Sequence, residues 1–191
     1  MDLYVMADDF RWIDIVENTE SKTWIKSYSE PGYFEIYVAD SEKARSLYAH
    51  GRYIVRHDDD MIGVIERIQI KKDDDGRHML LVSGRCAKSL LARRVIYPQQ
   101  FFTGSVWNRM YWMVHNNASA PKDTRRKIPN LEIEPAGDAI GPSAQTQCTG
   151  DNLMDAVSDL VASNNMGWRV YLQDNKFVVG VYAGTDRTIE G

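Results

Sequence analysis

The stretch Tyr53–Arg85, YIVRHDDDMIGVIERIQIKKDDDGRHMLLVSGR, carries two aspartate triplets, Asp58–Asp60 and Asp73–Asp75, on either side of an apolar-rich run. The triplets are either a carboxylate cluster for a metal or turns between strands, and the choice decides the fold. RYIVR, MIGVIERIQI and HMLLVS are β-rich runs, and each triplet falls between two of them. Asp favours such turns because its side chain hydrogen-bonds its own backbone, and Asp75-Gly76 is a strong hairpin signal. A calcium loop read as D-x-D-x-D-G would put Asp73, Asp75 and Gly76 at its third, fifth and sixth positions. Its first and twelfth ligands would then be Lys71 and Val82, a cation and an alkyl group, which excludes an EF-hand. The triplets read as turns, and the stretch as a three-stranded meander.

The chain upstream reads the same way. LYVM and RWIDIV flank an acidic turn at Ala7-Asp8-Asp9, and TWIKSY and YFEIYV flank Ser29-Glu30-Pro31-Gly32. Proline fixes φ and glycine tolerates positive φ, so this pair marks a turn. In YFEIYV, Tyr33, Glu35 and Tyr37 alternate with Phe34, Ile36 and Val38, the period of a strand with two unlike faces. SEKARSLYA reads as a short helix with Ser41 as N-cap and Gly51 beyond its end.

Downstream the period lengthens. AKSLLARRVI is helix-compatible, with Ala87, Leu90 and Leu91 inward. TGSVWNRMYWMVHNN places Val106, Trp107, Met110, Met113 and Val114 at helical spacing, with Thr103 as the expected cap. Between Ala118 and Gly150 lie Pro121, Pro129, Pro135 and Pro142, with LEIE and AQTQCT as candidate edge strands. TGDNLMDAVSDLVASNNMG then gives the clearest helix, with Thr149 as expected cap and Leu153, Val157, Leu160 and Val161 as an apolar stripe. WRVYL, QDNK and FVVGVY read as a hairpin. The expected class is α+β, mostly antiparallel β with a few helices. The expected division is a β-rich subdomain at 1–117 with helices near 85–94 and 104–117, a proline-rich connector with edge strands at 118–148, and a helix plus hairpin at 149–191.

Composition narrows the function classes. With 43% apolar and 26% charged residues the 191-residue chain is ordinary for a globular protein. Its 23 Lys and Arg against 27 Asp and Glu leave a net charge of −4, which argues against a broad nucleic-acid footprint. The start MDLYVMADDFRW has no signal-peptide pattern, and no run approaches the roughly 20 apolar residues that span a bilayer. Cys86 and Cys148 are far apart and lack metal-type spacing.

Known chemistry does not appear. There is no G-x-S-x-G, neither cysteine lies in a local catalytic signature, and His50, His57, His78 and His115 include no i, i+4 pair for zinc. VSGRCAKSLL does not fit a phosphate loop. The basic segment PKDTRRKIP, with Lys122, Arg125, Arg126 and Lys127, has no interleaved aromatics to stack bases and reads as a solvated loop. No catalytic, cofactor-binding or metal-ligating residue is assigned.

The order of local motifs carries more. YIVRHDDDMIGVIERI, LLVSGRCAKSLLARRVIYPQ, RRKIPNLEI, TGDNLMDAVSDLVASNNMGWRVYL and KFVVGVYAGTDRT, with the opening LYVMADDFRWIDIV, resemble a siphophage tail protein family encoded among the tail-tip genes of phages and prophages of Gram-positive hosts. The resemblance covers nearly the whole chain. It implies a tail hub similar to baseplate-hub proteins: two related barrel-like subdomains, a homotrimer when intact, and a place in the virion tail between the tail tube and a distal fibre or spike. Its implied partners are itself and neighbouring tail proteins, with no membrane, no sequence-specific nucleic acid and no cofactor. Synthesis is expected in the bacterial host cytoplasm. Family members run longer than this chain, so the resemblance also implies an N-terminal piece or a short variant, with an unpaired strand edge. Two alternatives stay open. One is a host-surface or receptor-binding module using Trp12, Trp24, Tyr28, Tyr33 and Tyr37; the other is part of a tail-associated cell-wall hydrolase.

Overall fold

A computed structural model of the chain describes residues 2–17, 19–72, 75–135 and 140–184. Asp73 and Asp74, part of the second triplet, lie outside them. Two compact units divide the chain: Met1–Ser27, Pro31–Ser89 and Val170–Asn175 in one, and Tyr28–Glu30, Leu90–Arg169 and Lys176–Gly191 in the other. These bounds differ from the 1–117, 118–148 and 149–191 division expected from the sequence, because long-range strand pairing, not proline content, sets compactness.

The first unit holds β1 (Leu3–Met6), β2 (Trp12–Ile15), β3 (Thr19–Ile25), β4 (Tyr33–Ala39), α1 (Glu42–Leu47), β5 (Tyr53–Arg56), β6 (Ile62–Val64), β7 (Arg67–Lys72) and β8 (His78–Arg85). They form two antiparallel four-stranded sheets, in the orders β2-β1-β5-β6 and β3-β4-β8-β7. As the alternation in YFEIYV requires, Phe34, Ile36 and Val38 are buried while Tyr33 is exposed. With Leu3, Val5, Ile54, Leu80 and Val82 they make the core of this unit. Ser41 caps α1 by accepting from the Ala44 N–H at 3.1 Å.

MIGVIERIQI is not one strand. It splits into β6 and β7, which belong to different sheets. The break falls at Ile65 and Glu66, whose amides donate to Arg52 and Ser83 carbonyls at 2.8 and 3.1 Å. At the crossing the Glu66 carboxylate takes the Arg85 guanidinium at 2.8 Å and the Arg85 amide at 3.2 Å. Burial pushes the Glu66 carboxyl upward, but the Arg85 guanidinium and amide outweigh it and hold it below its ordinary value. A carboxylate depressed in the folded state contributes stability above its unfolded value, and that contribution is lost as pH falls through the folded one. The difference in urea midpoint between wild type and Glu66→Gln should therefore narrow as pH is lowered from about 5 to 3. A constant difference over that range would refute the assignment.

The first aspartate triplet is a turn between β5 and β6. Arg56 holds Asp58 through two bonds of 2.9 and 2.7 Å, Asp59 accepts from the Met61 amide at 2.8 Å, and Lys26 bridges Asp59 and Asp60. Gly76, after Asp75, has φ +79°, as a tight turn demands.

Further along lie a 3-10 helix (Ala87–Arg93), β9 (Gln100–Gly104), α2 (Val106–Val114), a π turn (His115–Ser119), a 3-10 turn (Thr124–Arg126), β10 (Leu131–Ile133), β11 (Ala144–Cys148), α3 (Leu153–Ala162), β12 (Met166–Gln173) and β13 (Lys176–Ala183). The segment expected as a helix near 85–94 is thus 3-10, with Ala87, Leu90 and Leu91 buried as expected. Both large helices start later than expected. Thr103 is drawn into β9, so Ser105 caps α2; Thr149 stays outside α3, and Asn152 caps it. LEIE and AQTQCT do not pair with each other. β10 runs parallel to β13, in the sheet order β10-β13-β12, and β11 pairs antiparallel with β9. Asp174 and Asn175, both at positive φ, make the two-residue turn between β12 and β13. All four sheets are open, and no closed barrel forms among the described residues. Among them, no helix is long and apolar enough to cross a membrane.

A candidate docking groove

The residue types that catalysis would need are dispersed. His57 lies in the β5–β6 turn, His78 opens β8, and His115 stacks on Tyr111 with its Nδ1 against Asn116 Oδ1 at 3.2 Å. Cys86 and Cys148 are free and buried, and burial pushes both thiols up, away from the reactive thiolate form. Among the described residues no three His, Cys, Asp or Glu side chains converge as a metal-binding group. The aromatics singled out as a wall-binding platform have other work: Trp24 packs on Phe34 beneath the Arg56 guanidinium, and Lys71 sits over Tyr37. Tyr28 packs on Tyr182 and donates to the Asn165 carbonyl. Trp12 and Tyr33 remain exposed.

The notable surface feature lies in the second unit, around the basic segment. In β9, Phe102 points inward and is 2% exposed while its neighbour Phe101 is 60% exposed. Tyr97, 70% exposed, precedes the cis-linked Pro98. These two rings share a concave surface of about 950 Å³ with Gln100, Asn116, Lys122, Asp123, Arg125 and Arg126. Aromatics are absent from PKDTRRKIP itself, but the fold brings them to it from more than twenty residues upstream.

Two arginines brace the groove. Arg126 donates to the Tyr97 carbonyl at 2.9 Å and to the Val95 carbonyl. Arg94 donates to the Arg126 carbonyl and, at 3.2 Å, to the Lys127 carbonyl. All four acceptors are neutral, so among the described residues neither guanidinium forms an ion pair, although the Asp123 carboxyl, held below its ordinary value chiefly by the Arg125 side chain, is also lowered by the nearby Arg126 charge. Burial, with Arg126 and Arg93 nearby, holds the Arg94 guanidinium below its ordinary value. Asp123 caps the Thr124–Arg126 turn through the Arg125 amide and neutralises Arg125 with two bonds of 3.0 and 2.9 Å. Among the described residues Lys122 has no partner. The groove is therefore a rigid, cationic, aromatic-flanked surface suited to holding an acidic segment, a combination typical of protein interfaces.

Three solved structures share the fold. A prophage tail protein, gp18 of Listeria monocytogenes EGD-e, is similar at TM-score 0.60 and 12% identity over 94% of this chain and 50% of its own. A tail protein of Neisseria meningitidis MC58 gives 0.53 at 17% identity over 93% of this chain and 49% of its own. The E. coli c3393 protein, a type VI secretion component described as similar to T4 tail proteins gp27 and gp5, gives 0.52 at 12% identity over 86% and 45%. The chain thus spans about half the length of each structure it matches. No match was found among curated proteins. The fold is that of phage and prophage tail proteins, as the motif order implied. Residues 2–190 match the family described as Siphovirus ReqiPepy6 Gp37-like protein, and the chain belongs to that family.

Proposed function

We propose that this protein is a structural subunit of a siphophage or prophage tail, placed in the hub at the tail tip. There it joins the tail tube to the distal fibre or spike and contacts copies of itself and neighbouring tail proteins. The observation that carries this reading is the tail-protein fold running through 94% of the chain. Open sheets with free edges, and an exposed aromatic groove ringed by cations, are surfaces built for association, and the reading assigns no catalytic residue. Virions stained with gold-labelled antibody against this chain should carry the label at the tail tip. In light scattering the intact protein should form a trimer. Label on the capsid or along the tube, or monomer alone at high concentration, would refute the hub placement.

A further inference from the structure

The basic groove has a complement within the same unit. On α3, Asp155 and Asp159 lie one turn apart on the exposed face, and Asp151, just before the Asn152 cap, is exposed beside them on the same concave surface. Asp155 and Asp159 stand about 6 Å apart along the helix axis. Among the described residues, neither Asp155 nor Asp159 has a cation partner, and carboxylates at this spacing repel one another along a helix. So one surface carries three aspartates against a single arginine, Arg109, and the other carries Lys122, Arg125 and Arg126 against a single acid, Asp123.

We propose that the groove lined by Tyr97, Phe101, Lys122 and Arg126 receives the Asp155–Asp159 face of α3, with Asp151 just before the helix, from a second copy of this chain. This rests on the hub reading and names the surfaces by which its copies meet. Each half relieves a repulsion in the other: the α3 carboxylates screen the Arg94–Arg126 pair, and Lys122 and Arg126 screen the aspartate line. Tyr97 and Phe101 lose their water on contact and supply the apolar anchor that charge pairs alone lack. When the groove of one copy takes α3 of the next, the contact is heterologous, the kind that passes from copy to copy and gives a ring where the rotation between copies closes. A nucleic acid fits less well. The chain carries net charge −4, which argues against a broad polyanion footprint, whereas a second copy brings only the few exposed carboxylates that this groove has cations to meet.

Reversing the charges tests the pairing. Lys122→Glu with Arg125→Glu makes the groove acidic, and Asp155→Lys with Asp159→Lys makes the helix face basic. All four positions are exposed, so both variants should keep the wild-type circular dichroism. In sedimentation velocity each variant alone should self-associate about tenfold more weakly than wild type. An equimolar mixture should recover association, because the reversed groove of one variant meets the reversed α3 of the other, and native α3 meets native groove in return. The unaltered protein should also associate more weakly as salt rises from about 50 to 500 mM. Wild-type rings that survive both reversals, a mixture no better than its parts, or association indifferent to salt would overturn the pairing while leaving the hub placement standing. So would a groove variant that loses only retention of a DNA duplex. A wild-type chain that never associates would overturn both.

Discussion

Replacing Gly84 with alanine should destabilise the protein by about 3 kcal/mol, seen as a large fall in urea midpoint. A Cβ at this position would lie 1.8 Å from the Val64 carbonyl oxygen and 3.0 Å from the Glu66 nitrogen. Both are backbone atoms of the segment that crosses from one sheet to the other, so no side chain can swing aside. β8 cannot retreat either, because β4 holds it at Phe34 and β7 holds it at Ser83. Gly76→Ala is the control. There φ is +79° but nothing lies within 4 Å, so only the left-handed backbone is penalised, at about 1 kcal/mol. Equal losses at the two positions would show that the crossing does not press on β8.

Trp168→Ala should cost about 3–5 kcal/mol, the range for removing a fully buried indole. Trp168 is 0% exposed, its backbone amide donates to the Tyr28 carbonyl at 3.3 Å, and its indole N–H donates to the Ser29 carbonyl. The same Ser29 oxygen accepts from Ser158 at 3.1 Å, and the Tyr28 hydroxyl donates to the Asn165 carbonyl. These bonds hold the three residues Tyr28–Glu30 inside the second unit, although the chain on both sides belongs to the first. Trp168→Phe keeps most of the buried ring and loses the indole bond, for about 1–2 kcal/mol. If denaturant titration showed phenylalanine as damaging as alanine, the hydrogen bond and not the packing would be holding the segment.

Much of this architecture could be read from local pattern. The alternation in YFEIYV, the hairpin over QDNK and the apolar stripe of α3 each appear where their period places them, because each is settled by neighbours within a few residues. What escaped was decided by distant partners. MIGVIERIQI changes at Glu66-Arg67 from a continuous apolar run to an alternating one, but its division between two sheets is set by distant partners, Arg52, Ser83 and Arg85. Thr103 and Thr149 are capping types, though weaker ones than Ser105 and Asn152, and pairing of β9 with β11 draws Thr103 into a strand. The groove was half visible: its cations stand together in one segment, while Tyr97 and Phe101 come from another that nothing local connects to it.

The parallel pairing of β10 with β13 sets a timetable for biosynthesis. Leu131 cannot meet Phe177 until the intervening chain has left the ribosome. At about 5–20 residues per second, that is a delay of roughly 2–9 s. Through that interval Leu131 and Ile133 wait without their partner strand, so the nascent polypeptide carries an unpaired apolar segment open to misassociation, and to a chaperone, while residues 134–177 are being made.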